Sequence, residues 1–402
     1  MNDLDARLAA RRAEGLYRSR LTLESAQSTE VRIGDERLIS FCSNDYLGLA
    51  NDPAVIAAFQ RGAARYGVGA GASHLVSGHS RAHQALEEEL AAFIGCERTL
   101  LFSTGYMANL GVLSALAGKT GTIYPDRLNH ASLIDGCRVA RAHIKPYRHL
   151  DTADLRRRLD EEADGARLIA TDAVFSMDGD LAPLPALYAL ARQTDARLVI
   201  DDAHGFGVLG ETGRGSFEHW DLALRPPGIM VGTLGKALGT FGAFVAGESA
   251  LIETLIQCAR TYIYTTALPP AVAEATRASL DIVRTEGWRR ERLGALVARF
   301  RQGASAIGLA LLPSETPIQP ILFGTAERAV AAAERLRACG ILVRAIRPPT
   351  VPAGSARLRI TFSSLHPEAQ IDRLLEALVP IARDPRPAEV ESITKVEEIS
   401  DG

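Results

Sequence analysis

The sequence lacks the long apolar runs and the charge excess that mark several classes of protein. No apolar stretch approaches the roughly 18 residues that a membrane-spanning helix needs. The first residues are acidic and polar, so we expect no secretory signal. Lysine and arginine number 45 against 48 acidic residues, and the net charge of −3 gives no general attraction for nucleic acid. We therefore expect neither a membrane nor a nucleic acid as a partner.

Cysteine is also scarce. The five cysteines are scattered, odd in number and never in C-x-x-C spacing, at Cys42, Cys96, Cys137, Cys258 and Cys339. This pattern favours reduced thiols in the cytoplasm over a disulfide framework or a zinc site. His79 and His83 stand four residues apart, but the glutamate of the zinc motif H-E-x-x-H is missing. We interpret these histidines as part of a helix start and expect no metal site.

Aromatic residues make up only 6% of the 402 residues, against 47% apolar residues, which predicts a core rich in Ala, Leu and Val. Strand and helix patterns alternate through the middle of the chain. This alternation predicts an α/β fold with a mostly parallel central sheet and helices on both faces. We predict an N-terminal arm at 1–40, a large domain at 41–284, a small C-terminal α+β domain at 285–383 and a disordered tail at 384–402.

Two short apolar runs in the large domain stop abruptly at polar residues and glycine. Buried parallel strands have this pattern, and ligands of open α/β sheets bind where the carboxyl ends of such strands meet. The first run leads to Asp201 and His204, and the second leads to Thr233 and Lys236. A carboxylate, an imidazole, a hydroxyl and an amine at one sheet edge are the groups that hold a pyridine aldehyde cofactor as an electron sink.

The glycine-containing segments fit nucleotide motifs less well. Gly235 and Lys236 resemble the end of a phosphate loop, but Met230 and Ala237 stand where that loop needs glycine and a hydroxyl residue. The glycine-rich run at 67–74 follows a helical pattern in place of a strand, which weakens a dinucleotide interpretation. The sequence therefore favours the lysine as an amine that reacts, rather than as a phosphate ligand.

A further candidate lies where a strand at 99–102 turns into a helix. The start of that helix, at Gly105 and Tyr106, offers backbone N–H groups to an anion. An ordinary capped helix would have the same sequence pattern, so both interpretations stay open at this point.

Four motifs resemble those of the α-oxoamine synthases, a family of fold-type I enzymes that use pyridoxal 5′-phosphate. They are TLGKALG at 233–239, DDAHG at 201–205, SMDGD at 176–180 and NDYLGL at 44–49. The resemblance extends over residues 5–383. It implies a fold-type I transferase that condenses an amino acid with an acyl thioester and releases carbon dioxide. Asp172 departs from the glutamate that we expect at its position.

The resemblance implies roles for the residues that face the cofactor. Lys236 would hold pyridoxal phosphate covalently and then move the α-proton of the substrate, for which its pKa must be lowered. Asp201 would pair with the pyridine nitrogen, His204 would bind the phenolic oxygen, and His130 would stack on the ring and contact the substrate. Ser176 would add a polar contact.

The resemblance also implies a phosphate site and a dimer. Gly105 and Tyr106 would bind the phosphate through backbone groups, together with the hydroxyl of Thr233. Thr265 or Thr266 would reach the phosphate of a neighbouring subunit, as in dimers of this family. We therefore expect a homodimer with a shared active site.

Two further segments look most like the family members that join L-alanine to a pimeloyl thioester. They are AIRPPTVPAG at 345–354 and YTTALPP at 264–270. In such an enzyme Arg359 would clamp the amino-acid carboxylate with help from Asn44. Strand alternation puts Arg357 on the same face as Arg359, so periodicity alone does not choose between them.

The acyl substrate would meet Arg18, with Arg20 as a close rival, and Thr350 would line its pocket or that of the amino acid. The acyl group would ride on coenzyme A or on an acyl carrier protein. A basic cluster at Arg289, Arg290 and Arg292 would suit an acidic carrier, although such clusters are more often solvated surface. Glycine-using members that take acetyl-CoA or succinyl-CoA are the nearest alternative, and a non-catalytic binding member is another.

Overall fold

The computed structural model describes residues 3–161, 165–309 and 311–384. The tail predicted at 384–402 therefore lies outside the described residues, except for its first residue. The described chain forms two units. The large unit contains residues 47–176 and 181–290, apart from 162–164, and the small unit contains 3–46, 177–180 and 291–384, apart from 310.

The secondary structure follows the alternation of patterns in the sequence. The first elements belong to the small unit and are α1 (Leu4–Ala13), β1 (Glu30–Ile33) and β2 (Glu36–Ser40). The large unit follows with α2 (Pro53–Tyr66), a π-helical turn (His74–Gly78), α3 (Arg81–Ile94), β3 (Arg98–Phe102), α4 (Gly105–Ala117), β4 (Thr122–Pro125), α5 (Ala131–Ala140), β5 (His143–Ile144), α6 (Thr152–Leu159), β6 (Arg167–Asp172), α7 (Leu184–Gln193), β7 (Arg197–Asp201), α8 (Ser216–His219), β8 (Gly228–Thr233), β9 (Ala243–Gly247), α9 (Ser249–Cys258), α10 (Arg260–Ile263) and α11 (Pro270–Thr285). The last described elements are α12 (Trp288–Ala306), β10 (Ile318–Gly324), α13 (Ala326–Ala338), β11 (Ile341–Leu342), β12 (Arg344–Ile346), β13 (Ala356–Thr361) and α14 (Glu368–Ala382).

A sheet in the order β3-β9-β8-β7-β6-β4-β5 forms the centre of the large unit. Neighbours from β8 to β5 run parallel, and β9 runs antiparallel to both β3 and β8. The inner strands are apolar and almost entirely buried, as parallel strands covered on both faces must be. The predicted α/β fold with a mostly parallel central sheet is thus confirmed. In the register of β6 and β7, Asp172 pairs with Asp201, so both strands deliver a carboxyl group to the same edge.

Two three-stranded sheets organise the small unit. One has the order β10-β13-β12 and is antiparallel, and the other has the order β1-β2-β11. Strand β11 pairs in parallel with β2, so the predicted N-terminal arm contributes two strands to a sheet of this unit. None of the helices in the described residues is long and apolar enough to cross a membrane.

The sequence patterns at 4–20 and at 270–303 each predict one helix, and both predictions are wrong in extent. The helix predicted at 4–20 ends at Ala13, because Gly15 follows with a φ of 64°, in the left-handed region that ends helices. The single helical stretch predicted at 270–303 is two helices, because α11 ends at Thr285 and α12 begins at Trp288. Gly287 lies in the break, where its high cost in a helix interior favours a stop.

Candidate active site

Lys236 and His204 lie in direct contact beyond the ends of β8 and β7. The Lys236 Nζ is 2.9 Å from the Nε2 of His204. Lys236 is half-buried and His204 is buried, so water screens this pair only partly. A proton can lie between the two nitrogens only if at least one of them is neutral, because two cations at this distance would repel. The pair is therefore suited to hold or transfer a proton.

Asp201 ends β7 and accepts two hydrogen bonds. Its Oδ2 accepts from the Asn109 Nδ2 at 2.6 Å, and its Oδ1 accepts from the Ala203 N–H at 3.0 Å. The side chain is buried, with the residue 6% exposed. These two hydrogen bonds fix the orientation of the carboxyl group. Asp201 thus offers a fixed carboxyl group at the sheet edge.

His130 precedes α5 and its side chain caps that helix. Its Nδ1 accepts from the Ser132 N–H at 3.3 Å and lies 2.7 Å from the Ser132 Oγ. His130 is an exposed residue, but part of its imidazole is buried. This desolvation lowers the pKa of the imidazole, and the negative charge of Asp201 opposes the shift. The imidazole is therefore held neutral near pH 7, with Asp201 and Lys236 as its charged neighbours.

Asp172 ends β6 next to Asp201. Its Oδ2 accepts from the His130 N–H at 2.6 Å, and its own N–H donates to the Asn129 Oδ1 at 3.1 Å. Burial, and then the charge of Asp201, raises the pKa of Asp172 well above its usual value. The buried carboxylates of Asp172 and Asp201 would repel each other, and a proton on Asp172 removes this repulsion. The residue that departs from the family pattern is thus a buried partner of the site.

The start of α4 offers two unused backbone donors. The Thr104 side chain caps the helix by accepting from the Met107 N–H at 3.1 Å. Within the described residues, the N–H groups of Gly105 and Tyr106 make no hydrogen bond. A Cβ built on Gly105 would meet nothing within 4 Å, which leaves space beside these donors. Gly105 and Asn109 are four residues apart and so share a face of α4, the face that reaches Asp201.

The remaining predicted cofactor contacts lie on loops of the large unit. Thr233 ends β8, where its hydroxyl donates to the Gly242 carbonyl at 3.2 Å. Ser176 is half-buried in the turn after β6. Thr265 and Thr266 lie in the loop between α10 and α11, half-buried and exposed respectively. Their contact with a second subunit stays a prediction.

These groups fit pyridoxal phosphate. A pyridine nitrogen requires an acid, the phosphate requires N–H donors and the aldehyde requires an amine. Asp201, the start of α4 and Lys236 provide them. The Oδ1 of Asn109 is buried and has no hydrogen-bond partner among the described residues. An acceptor at the sheet edge is thus left for a further hydrogen-bond donor.

A second cluster lies on β13 of the small unit. The Arg359 Nη1 donates to the Asn44 Oδ1 at 3.1 Å, and the residue is 8% exposed. Arg357, on the same strand, forms a salt bridge with Asp178 and donates to the carbonyls of Met177 and Ser355. The two arginines thus differ in their partners, although periodicity could not separate them.

The N-terminal arm brings two predicted residues together in the small unit. The Arg18 Nη2 donates to the Thr350 Oγ1 at 3.0 Å, and both residues are exposed. Arg20 is exposed and has no hydrogen bond or ion pair with another described residue. The arm thus brings Arg18, and not its rival, into contact with Thr350.

The basic cluster on α12 makes hydrogen bonds within the two units. Arg289 is buried and binds Asp52, Glu286 and the Leu47 carbonyl. Arg290 donates to the carbonyls of Val283 and Glu211, and Arg292 donates to those of Ser364 and His366. The solvated interpretation was therefore wrong for Arg289, whereas Arg292 is exposed and contact of the cluster with an acidic carrier stays a prediction.

Of the two histidines interpreted as a helix start, His83 takes part in the cap of α3, and His74 lies beside both of them. Ring nitrogens of His74, His79 and His83 lie within 4.8 Å of one another. The His83 Nδ1 accepts from the Ser80 N–H, and its Nε2 lies 2.7 Å from the Leu268 carbonyl. Both nitrogens of His83 are therefore engaged, which leaves it no lone pair for a metal ion. Burial lowers the pKa of His74 to about 3, aided by the charges of His83 and His79.

Asn109 and Ser132 are functional residues that sequence reasoning missed. Asn109 bridges Asp201 and the Ser132 Oγ, at 2.6 and 2.8 Å. One signal was available, because Asn109 is a buried amide in the otherwise apolar helix α4. An amide in such a place requires a partner, although only the structure identifies it.

Asp202, next to Asp201, gives a prediction about stability and pH. The residue is 0% exposed, and burial raises its pKa to about 8. An unfolded aspartate titrates near about 4, so the folded protein holds an extra proton between about pH 4 and pH 8. Stability should therefore fall as the pH rises through this range. We expect the melting temperature of Asp202→Asn, measured against wild type, to improve steadily from pH 5 to pH 8.5. A difference that does not change with pH would contradict the raised pKa.

Comparison with known proteins agrees with this arrangement. The family model for aminotransferase class I and II matches residues 36–378. A protein of Nitrosococcus oceani named 8-amino-7-oxononanoate synthase is 62% identical over 374 residues, which cover 93% of this chain and 99% of that protein. A protein of Stutzerimonas stutzeri with the same name is 61% identical over 376 residues, which cover 94% of this chain and 96% of that protein.

Solved structures are similar too. A serine palmitoyltransferase from S. paucimobilis, solved with bound pyridoxal phosphate and myriocin, has a TM-score of 0.88 at 32% identity, covering 95% of this chain and 96% of that one. The 8-amino-7-oxononanoate synthase from Francisella tularensis has a TM-score of 0.74 at 33% identity, covering 86% of this chain and 98% of that one. By sequence and by fold, this chain belongs to the aminotransferase class I and II family.

Proposed function

We propose that this chain condenses L-alanine with a pimeloyl thioester to give 8-amino-7-oxononanoate, carbon dioxide and a free thiol, a step of biotin biosynthesis. The observation that carries the proposal is the 60–62% identity to relatives of that name over 93–94% of this chain. The match spans 96–99% of those relatives.

The cofactor in this proposal is pyridoxal phosphate. When bound, it supplies a ring that withdraws electrons from the α-carbon of the amino acid. Asp201 would face the ring nitrogen, with its carboxyl group held in place by Asn109 and Ala203. The N–H groups at the start of α4 would hold the phosphate, and the Thr233 hydroxyl would join them by exchanging its hydrogen bond with the Gly242 carbonyl for one to the phosphate.

The proton steps fall to Lys236 and His130. Lys236 would hold the cofactor through its amine, and that amine would then remove and return the proton at the α-carbon. His204, 2.9 Å from the amine, orients it and would also hold the phenolic oxygen of the cofactor. The neutral imidazole of His130 would cover the ring and contact the substrate, and Ser176 would add a polar contact.

The L-alanine carboxylate binds Arg359 in this proposal. The planar guanidinium fork matches a carboxylate, and Asn44 holds the arginine in place. Arg357 is less suited because Asp178 already neutralises it. We expect Arg359→Lys to raise the KM for L-alanine about 10- to 100-fold, the size of one lost charged hydrogen bond. Steady-state rates against L-alanine concentration measure this.

Arg357→Lys is the matched control for that prediction. It changes the same residue type on the same strand and weakens the contact with Asp178, so it should lower the melting temperature while the KM for L-alanine stays near the wild-type value. The reverse result, a larger KM effect at Arg357, would transfer the carboxylate site to that residue.

The acyl thioester meets Arg18 and Thr350. An exposed guanidinium attracts the negative charges of the acyl donor, and the Thr350 hydroxyl fixes its position. Because both residues are exposed, we expect a modest effect: Arg18→Ala should raise the KM for pimeloyl-CoA up to about tenfold and leave the KM for L-alanine unchanged. Arg20→Ala serves as the control and should change neither value. Equal effects from both variants would remove the specific role of Arg18.

We propose a cytoplasmic location, because the five free cysteines fit a reducing compartment.

We also propose a homodimer in which Thr265 or Thr266 completes the phosphate site of the neighbouring subunit. Mixed dimers would test the shared site. One subunit carries alanine at both Thr265 and Thr266 and keeps Lys236, and the other carries Lys236→Ala and keeps both threonines. Partial recovery of activity is expected only if the threonines act across the interface.

The direct test of function is a product assay. Purified protein supplied with pyridoxal phosphate, L-alanine and pimeloyl-CoA should form 8-amino-7-oxononanoate, detected by mass spectrometry. Parallel reactions pair glycine with acetyl-CoA or succinyl-CoA, and a further reaction supplies pimeloyl-acyl carrier protein. Turnover of glycine without turnover of L-alanine would replace this assignment with a glycine-using member of the family. Comparison of the two pimeloyl donors identifies the natural carrier.

A further inference from the structure

A chain of hydrogen bonds joins Asp201 to His130, the residues proposed to face the cofactor nitrogen and to cover its ring. From Asp201 Oδ2 it runs to Asn109 Nδ2 at 2.6 Å, from there to Ser132 Oγ at 2.8 Å, and then to His130 Nδ1 at 2.7 Å. The elements involved are β7, α4 and the start of α5. Two groups that are distant in sequence are thereby tied together.

The direction of each hydrogen bond in this chain follows from chemistry. The Asn109 amide donates both of its hydrogens, one to the Asp201 carboxylate and one to the Ser132 oxygen. The Ser132 N–H donates to the His130 Nδ1 at 3.3 Å, so that nitrogen carries a lone pair and no proton. The Ser132 hydroxyl, which already accepts from Asn109, donates its own proton to the same nitrogen. A neutral His130 therefore carries its proton on Nε2.

Burial prevents water from replacing these contacts. Asn109 is 0% exposed and Ser132 is 1% exposed. The Asn109 Oδ1 has no partner among the described residues, so the amide serves the fold only through its two N–H groups. A buried amide with an unsatisfied oxygen costs stability, and an apolar residue would pack in α4 without that cost. The two hydrogen bonds that Asn109 donates, to Asp201 and to Ser132, therefore explain an asparagine at this position.

We propose that Asn109 and Ser132 form a positioning pair that fixes His130 as the neutral Nε2–H tautomer and holds Asp201 as a charged acceptor. The proposal deepens the proposed function and rests on it for the roles of His130 and Asp201. The pair touches neither substrate nor cofactor. Its hydrogen bonds determine which nitrogen of His130 carries the proton, and they connect His130 to Asp201.

The tautomer can be measured without turnover. Nitrogen NMR of the protein labelled with ¹⁵N-histidine distinguishes the Nε2–H form from the Nδ1–H form. We expect His130 in the wild-type chain without cofactor to be neutral and protonated on Nε2 at pH 7. In Asn109→Ala the Ser132 oxygen is released to accept a proton, and in Ser132→Ala the hydroxyl donor is lost. The Ser132 backbone N–H remains as a donor to Nδ1 in both variants, at the longer distance of 3.3 Å, so we expect a partial rise in the Nδ1–H form rather than a complete switch.

A second readout follows the cofactor. The Kd for pyridoxal phosphate should rise about tenfold in Asn109→Ala, since Asp201 loses one charge-assisted hydrogen bond. The pH titration of the bound cofactor's visible absorption should shift as well. Ser132→Ala, a smaller change, keeps the test valid if Asn109→Ala fails to fold.

Two controls remove effects of destabilisation alone. Ser114→Ala deletes a hydroxyl of α4 that bonds only within its own helix, and Gln319→Ala deletes a buried amide on β10. Both should leave the His130 tautomer and the Kd unchanged. Wild-type His130 in the Nδ1–H form, or variants that keep the wild-type tautomer and Kd, would overturn the positioning role. Failure of wild type to bind pyridoxal phosphate would instead contradict the proposed function, while the tautomer measurement would still test the pair.

Discussion

Replacing Lys236 with alanine is expected to lower kcat at least about 10⁴-fold, because the variant loses both covalent attachment of the cofactor and the amine that moves the α-proton. The structure supports this role, since the Nζ lies 2.9 Å from the His204 Nε2 at the sheet edge. The measurement is the rate of 8-amino-7-oxononanoate formation under saturating substrates.

Lys145→Ala is the matched control for this loss. Lys145 also lies in the large unit, where it forms a salt bridge with Glu161 that contributes little to stability. We expect wild-type rates from this variant. Activity of Lys236→Ala within about tenfold of wild type would exclude the amine from the chemistry and leave only a fold assignment.

The second large effect is expected from Asp201→Asn. Asparagine has nearly the same shape and still accepts from Ala203, but it carries no charge against the ring nitrogen. We expect kcat to fall about 10²- to 10³-fold, the range for removal of one electrostatic stabiliser from an enclosed site. Pyridoxal phosphate should remain bound, because the phosphate donors of α4 and Lys236 are unchanged. Stopped-flow rates and absorption spectra of the loaded protein separate the two effects.

Asp154→Asn provides the control for loss of a buried carboxylate. Asp154 is 1% exposed and forms salt bridges with Arg157 and Arg158 on its own helix α6. This variant should lower the melting temperature and leave kcat per bound cofactor unchanged. Equal losses of kcat in both variants would mean that Asp201 acts through stability and not through the ring.

The sequence could predict the sheet edge because its signals are local. Apolar runs that stop at Asp201 and Thr233 mark buried strands, and parallel strands deliver their ends to one edge whatever the details of packing. The helix start at Gly105 was predictable for the same reason. Lys236 was identified by the motif around it, and the structure then gave its partner.

Other features depend on contacts between distant parts of the chain. Arg357 and Arg359 have the same periodicity, and their partners in the structure distinguish them: Arg357 pairs with Asp178, and Arg359 donates to Asn44. Asn109 was visible as a polar residue in an apolar helix, but its two partners come from β7 and from the start of α5. The arginine cluster on α12 looked like solvated surface because sequence does not reveal which carbonyls a side chain will reach.

The most direct test of the central claim is chemical trapping of the lysine. The chain has four lysines, Lys119, Lys145, Lys236 and Lys395, so peptide mapping after borohydride reduction of the loaded protein gives an unambiguous assignment. We expect a single pyridoxyl label, on Lys236. A label on any of the other three, or no label on protein that has been saturated with pyridoxal phosphate, would contradict it.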